Sequence, residues 1–378
     1  MSKTVKILFS GDFCPVNRSV NLISKSSVYE AFNNLLPLFM ESDIAVTNLE
    51  CPLTDSTNPI LKTGPHLKTS LHASWFLKEA GFSLVTLANN HIMDFGVEGL
   101  KSTTNACSEV RLNYTGVGNN LSEARLAYHQ ELAGYKLAFI NICENEWSTT
   151  FGDNPGANPL NPITNYYDIV EAKKIADFVF IIFHGGNELY SLPSPRMKEL
   201  CHFFVNAGAD AVICHHSHYL SGYETYNGGL IFYGLGNLLF DDPFYCKQEW
   251  NYGLVIQILI SGGAISFNVI PITQSNELVG ARLAHGNERE LIFSSINELN
   301  GKISDDRAIE EEFRAFCNRR GTSLVYRSYL QPYSNKYLIA IFKRGILPSL
   351  ISKEKMRLYH NLIRCESHRD VLSQILKS

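Results

Sequence analysis

The sequence predicts an α/β protein: a large domain whose strands present polar residues along one sheet edge, then a helical appendage. Three observations point there. Short apolar runs of strand length end repeatedly in Asp, Asn, Glu or His. Helical spacing fills several of the stretches between them, which is the alternation of an α/β fold. After about Pro271 the strand-end motifs stop and amphipathic helical patterns take over. The expected division is therefore residues 1–275 as the site-bearing domain and 276–378 as a helical subdomain.

Taken in order, Val5 to Ser10 reads as the first strand and runs into Gly11-Asp12, where glycine permits a tight turn. Val28 to Phe39 has helical spacing, with Pro37 near its end. Ile44 to Thr47 is the second strand, closing on Asn48-Leu49-Glu50. Residues 51–69, rich in Pro, Thr and Asn, form a loop. Ser74 to Ala80 is a helix stopped by Gly81. The stretch LVTLANNHIMDFG, Leu84 to Gly96, is a buried strand that ends in Asn89, Asn90 and His91, with Asp94 three residues on. A helix over Gly96 to Val110 follows. Lys136 to Ile142 is a strand that opens on Cys143-Glu144-Asn145-Glu146-Trp147. Phe151 to Thr164, rich in Gly, Asn and Pro, has the character of a lid or binding loop. Ile169 to Ala176 is helical. Phe178 to Phe183 is a near-continuous apolar strand, as expected when both sheet faces are covered, and it leads to His184-Gly185-Gly186. Met197 to Asn206 is a helix closed by Gly208, and Ala211 to Cys214 a strand before His215-His216-Ser217-His218. Leu230 to Tyr233 precedes Leu235-Gly236-Asn237. Leu254 to Ser261 and Ala264 to Ile270 form an antiparallel pair turned by Gly262-Gly263. Glu288 to Asn300, Asp305 to Arg319, Lys353 to Arg364 and His368 to Leu376 are amphipathic helices, with Ser352 and Ser367 as N-caps of the last two.

Composition narrows the function classes. The chain has 378 residues, 45% of them hydrophobic and 19% charged, enough to bury a sizeable core. A net charge of −4 argues against nucleic acid or an anionic membrane as main partner. The nine cysteines are scattered without a CxxC pair, as in a reducing compartment, and a cytoplasmic setting is expected. No apolar run is long enough for a signal peptide or a membrane span.

In open α/β sheets ligands bind at the carboxyl ends of strands. There the chain places Asp12, Glu50, Asn90, His184, His216 and His218, a mixed imidazole and carboxylate set suited to divalent metals. A two-metal site needs a bridging carboxylate and several histidines. His216 and His218 lie two apart, so an extended segment would aim both at one metal pair and turn His215 away. His66 and His72 read as ordinary loop and helix residues. Lys62 can reach an anionic ligand or stay solvated. Glu144 and Glu146 line a substrate pocket or lie on a surface turn.

These motifs resemble one family. Gly11-Asp12, Asn48-Leu49-Glu50, Asn89-Asn90-His91 with Asp94 and Gly96, His184-Gly185-Gly186 with Glu188, His216-Ser217-His218 and the run Gly234 to Asp241 are similar, in order, to the CapA proteins of bacterial capsule and poly-γ-glutamate synthesis. Those proteins resemble calcineurin-like metallophosphoesterases. The resemblance implies a two-sheet α/β/β/α sandwich of metallophosphoesterase type with a dinuclear centre of divalent ions (Mn, Zn, Fe or Mg). It implies Asp12 as ligand to one metal and Glu50 as the bridging carboxylate. Asn90, His184, His216 and His218 complete the set. It makes His91 the acid that protonates the leaving oxygen, with Asp94 orienting it. Cys14 stands where the wider pattern has a histidine, which leaves one or two metals open. Lys62, Glu144, Glu146, Glu188, Arg196 and Asn237 are the expected substrate-binding residues, Arg196 as a clamp on phosphate or carboxylate. The implied function is a metal-dependent phosphoesterase acting on a small phosphorylated precursor or polymer fragment in capsule or poly-γ-glutamate biosynthesis. The alternatives are hydrolysis of an amide or γ-glutamyl bond, and a non-catalytic part of a capsule-synthesis complex.

Overall fold

A computed structural model describes residues 4–327, 337, 341, 344–346 and 352–376. Two sheets stack face to face. The first is ordered β16 (Ala281–Leu283), β15 (Ala264–Gln274), β14 (Tyr252–Ser261), β1 (Val5–Phe13), β2 (Ile44–Leu49), β3 (Leu84–Thr86) and β4 (Asn113–Thr115). A short β13 (Asn237–Leu239) also pairs with β1. The second is ordered β11 (Tyr223–Tyr226), β12 (Gly229–Phe232), β10 (Ala211–His215), β9 (Phe178–His184), β7 (Tyr135–Cys143) and β6 (Tyr128–Leu132). A two-stranded ribbon of β5 (Val117–Gly118) and β8 (Gly156–Ala157) lies apart from both.

Side-chain alternation builds three apolar layers. Along β9, Phe178, Phe180 and Ile182 enter the core between the sheets, while Val179, Ile181 and Phe183 enter the core under the outer helices. Both faces are covered, so the whole strand is apolar and buried. β1 does the same, with Val5, Ile7 and Phe9 facing the second sheet and Leu8 facing helices. Phe9, Phe139 and Phe180 stack at the centre with ring centroids 5.2–6.3 Å apart. Helices His72–Glu79 and Gly96–Glu109 cover the first sheet, and Pro162–Ile175 and Pro195–Ala207 the second. The result is the α/β/β/α sandwich.

Several local expectations change. The stretch 28–39 is three short pieces, broken at Asn33 with φ 45°, and Pro37 lies in the first turn of the third piece, which starts at Leu36. The helix expected at Ile169 begins at Pro162, because Asn161 caps it by accepting from the backbone N–H of Ile163 and Thr164. Ser352 caps the helix Lys353–Arg364, but the last helix starts at Glu366, so Ser367 is not its cap. The β14–β15 pair is antiparallel as expected, and Gly262 and Gly263 both take the positive φ its tight turn requires.

The helical part does not stand off from the sandwich. β16 extends the first sheet beyond residue 275. Ile303, Ile309, Phe313, Phe316, Cys317 and Val371 join the same core as Ile181 and Val212. Within the expected helical subdomain, 276–378, the stretch 328–351 lies mostly outside the described residues. Among the described residues no helix is long and apolar enough to cross a membrane.

Candidate metal centre

The six expected ligands converge where the carboxyl ends of the two sheets meet. Parallel pairing lines up the ends of β1 and β2, and a register shift between Ser10 and Asp12 re-aims Asp12. Gly11 is obligatory at this bulge, since a Cβ there would lie 2.1 Å from the backbone oxygen of Gly236. From the second sheet, β9 and β10 bring His184 and His215 side by side. The chain then leaves β10 with His216 at φ 89° and His218 at φ 57°. This segment is not extended, and the turn, not alternation, delivers both rings.

Two overlapping groups result. Asp12, Glu50 and His218 offer donor atoms within 4.8 Å of one another, and so do Glu50, His184 and His216. Glu50 belongs to both. Its Oε1 lies 3.5 Å from Nε2 of His184 and 3.7 Å from Nε2 of His218. Nε2 of His184 is 3.0 Å from Oδ1 of Asn90 and 3.1 Å from Nδ1 of His216. Asn237 Oδ1 lies 3.1 Å from Nδ1 of His218, and the Asn48 amide donates to Asp12 at 2.8 Å.

The donor set fits divalent cations on an observation independent of the motifs. Glu50 is wholly buried, and neither carboxylate oxygen has a hydrogen-bond partner. An ionised carboxylate in that state is very costly unless a cation meets it. Burial, reinforced by nearby Asp12 and Glu188, accordingly pushes the Glu50 carboxyl well up. Burial and the neighbouring His216 hold His184 well below the usual imidazole range, in the neutral form that ligates metals. Burial opposes ionisation of Asp12, but His215 and His218 outweigh it and hold the carboxyl well down.

His91 stands beside this centre. Its Nδ1 lies 2.7 Å from Oδ2 of Asp94, which also accepts from the backbone N–H of Leu67 at 2.7 Å. Lys62 Nζ contacts Oδ1 of Asp94 and lies 3.2 Å from Nδ1 of His91. The Asp94 contact fixes the ring with Nδ1 as the donating nitrogen and leaves Nε2 free. Burial lowers the pKa of His91, and the Lys62 charge adds to that.

Other expected residues fall differently. His215, expected to turn away, shares the face of His184, and its Nδ1 lies 3.0 Å from Oδ1 of Asp12. The parallel register of β10 on β9, which sets His215 beside His184, turns it inward. Arg196 and Glu144 pair with each other at 2.5 Å instead of facing open space; Arg196 also holds Asp370, and Ser367 donates to Glu144 at 2.6 Å. Asn237 is fully buried against His218 and Trp250, so it orients the His218 ring and does not face open space. Lys62 is not solvated: its side chain is 3% exposed. Glu146 Oε1 lies 3.9 Å from Nε2 of His216. Glu188 is exposed, yet after opposing desolvation its pKa is lowered by His216, His218, His91 and His368, as for a carboxylate projecting into a cleft ringed by histidines. Cys14 lies in the helix-side core, where burial and nearby Cys51 push its thiol well up, and it joins neither donor group.

The family described as bacterial capsule synthesis protein PGA_cap matches residues 6–242, which include every residue of this centre. The chain belongs to this family. It is 32% identical over 268 residues to the PGA biosynthesis protein CapA of Bacillus subtilis, covering 70% of each chain. It is 30% identical over 271 residues to the capsule biosynthesis protein CapA of Bacillus anthracis, covering 69% of this chain and 66% of that one. A Mycobacterium tuberculosis protein described as a probable polyglutamine synthesis accessory protein is 28% identical over 210 residues, covering 50% of this chain and 55% of that one. The chain thus spans about two thirds of the length of the two CapA relatives and about half of the third.

Proposed function

We propose that this member of the capsule-synthesis family is a metal-dependent hydrolase of phosphate esters. The observation that carries the reading is Glu50, buried, unpartnered and common to two donor groups. Asp12, Glu50 and His218 would hold one divalent ion, and Glu50, His184, His216 and Asn90 the other. When bound, such ions activate water and offset charge on phosphoryl oxygens. The chain's own residues supply the rest. Protonated at both nitrogens, a form that Asp94 favours against burial and Lys62, His91 would give its Nε2 proton to the leaving oxygen, and Asp94 keeps the ring turned for that transfer. Lys62 and Asp94 hold each other, and His215, Asn48 and Asn237 fix the ligands. Glu188 faces the cleft and selects among substrates by charge.

A second reading keeps the metal centre but makes the bond cleaved an amide or γ-glutamyl bond of a polymer or its precursor. A third, which the names of the relatives favour, makes the chain an accessory component of a polymer-synthesis assembly. One screen separates them. Purified protein loaded with Mn, Zn, Fe or Mg is assayed on sugar and polyol phosphates and on γ-glutamyl peptides. Phosphate release abolished by chelation supports the first reading. Cleavage of γ-glutamyl peptides alone supports the second. Bound metal with neither activity leaves the third.

A further inference from the structure

Beyond the centre just described, the structure brings together a second donor set of different chemistry, and we propose that Glu146, Cys365 and His368 form a separate site for a zinc-type divalent ion. This reading does not depend on the hydrolase assignment. One ligand atom from each residue lies within 4.8 Å of the other two. Glu146 comes from the segment after β7, whereas Cys365 and His368 come from the junction of the helices Lys353–Arg364 and Glu366–Leu376. Thiolate, imidazole and carboxylate together are the ligand set of zinc, not of magnesium or calcium.

An independent feature points to a ligand here. Asn361 is 5% exposed, and its Oδ1 is buried without a hydrogen-bond partner. Its Nδ2 lies 3.4 Å from Oε2 of Glu146 and 3.3 Å from Nδ1 of His368, so the same amide sits inside the cluster. These are long contacts for a buried polar group and leave the donors poorly satisfied. Zinc ligands at about 2.0–2.3 Å would stand roughly 3.3–3.8 Å apart, so the donors close on an ion by side-chain adjustments of about an ångström. With its amide turned over, Oδ1 of Asn361, or else a water, would complete a tetrahedron.

The cluster lies among carboxylates, with the Arg364 guanidinium also within electrostatic reach of Glu146 and Cys365. Cys365 is 1% exposed, and its thiol donates to Oε2 of Glu144 at 3.9 Å. Glu144 is matched by Arg196, and Glu366 accepts from the backbone N–H and side chain of Asn145. Arg364 donates to Thr149. The other oxygen of Glu146 faces His216, so an ion held here would pin the C-terminal helices beside the main centre.

The full chain tests this through cobalt. After Co(II) reconstitution, a sulfur-to-cobalt charge-transfer absorption in the near ultraviolet reports a cysteine ligand, which the main centre lacks. The wild type and His216→Ala should show the band. Cys365→Ser should lose it together with one bound ion per chain, counted by plasma mass spectrometry. His368→Ala, a change at a half-buried position, should lose the same ion and serves if Cys365→Ser does not fold. Absence of the band in the wild type overturns the proposal, and so does its survival with unchanged metal content in either variant.

Discussion

A ligand histidine and an acid histidine fail differently when removed. His216→Ala takes a donor from the centre, so metal content and turnover should fall together. His91→Ala removes no ligand. Its metal content should stay at the wild-type level, while turnover on an alkyl phosphate drops by about 10²–10⁴, the span of general acid catalysis. On an aryl phosphate, whose leaving oxygen needs little protonation, the loss should shrink. Metal analysis beside steady-state kinetics checks both; loss of metal from His91→Ala in proportion to activity would make His91 a ligand. Asn237 acts through His218, at 3.1 Å. Asn237→Ala should therefore weaken metal binding by about 10–100-fold, the usual cost of removing a group that orients a ligand. A competitive chelator titration measures that directly, and unchanged affinity would show that Asn237 does not hold the ring.

At the scale of elements, the centre depends on the close approach of β1 to the segment before β13. Gly11→Ala forces a Cβ against the Gly236 oxygen, and backbone on both sides gives little room. Overpacking of this kind costs about 1–3 kcal/mol, sometimes more, and should appear as a lowered urea midpoint together with lost metal. The sequence made this part legible. Strand ends at Asp12, Glu50, Asn90, His184 and His218 announced themselves because short apolar runs stopped at metal-type side chains. What it hid depends on pairing between distant segments. The inward aim of His215 follows from its register against His184. The turn at His216 follows from a positive φ that no pattern of apolar residues encodes. Arg196 reads as a free cation until the last helix brings Asp370 to it. Arg196→Ala should leave Glu144 buried and unpaired at a cost of about 3 kcal/mol, the lower end for breaking a buried ion pair. Equilibrium unfolding would show it, and an unchanged midpoint would mean that Ser367 alone satisfies Glu144.

At the scale of the molecule, the C-terminal helices complete a core and do not merely append to one. Ile303, Ile309, Phe313, Phe316 and Val371 are all buried against the second sheet's outer face. At about 1.5–3 kcal/mol for each buried apolar side chain, their removal amounts to roughly 10 kcal/mol, comparable with the whole stability of a typical domain. A chain ending at residue 275, the expected boundary of the site-bearing domain, should therefore aggregate or bind a hydrophobic dye. Dye fluorescence and metal content of that shorter chain decide the matter, and a folded, metal-loaded product would restore the simpler division. The central claim concerns the ends of both sheets at once, and it is the proposal that Glu50 would serve two ions. Crystals of the full chain soaked in manganese and measured for anomalous scattering test it most directly. The account predicts two peaks about 3.5–4 Å apart, one beside Asp12 and His218, the other beside His184 and His216, with Glu50 between them. A saturated soak that shows a single peak, or none within reach of Glu50, would contradict it.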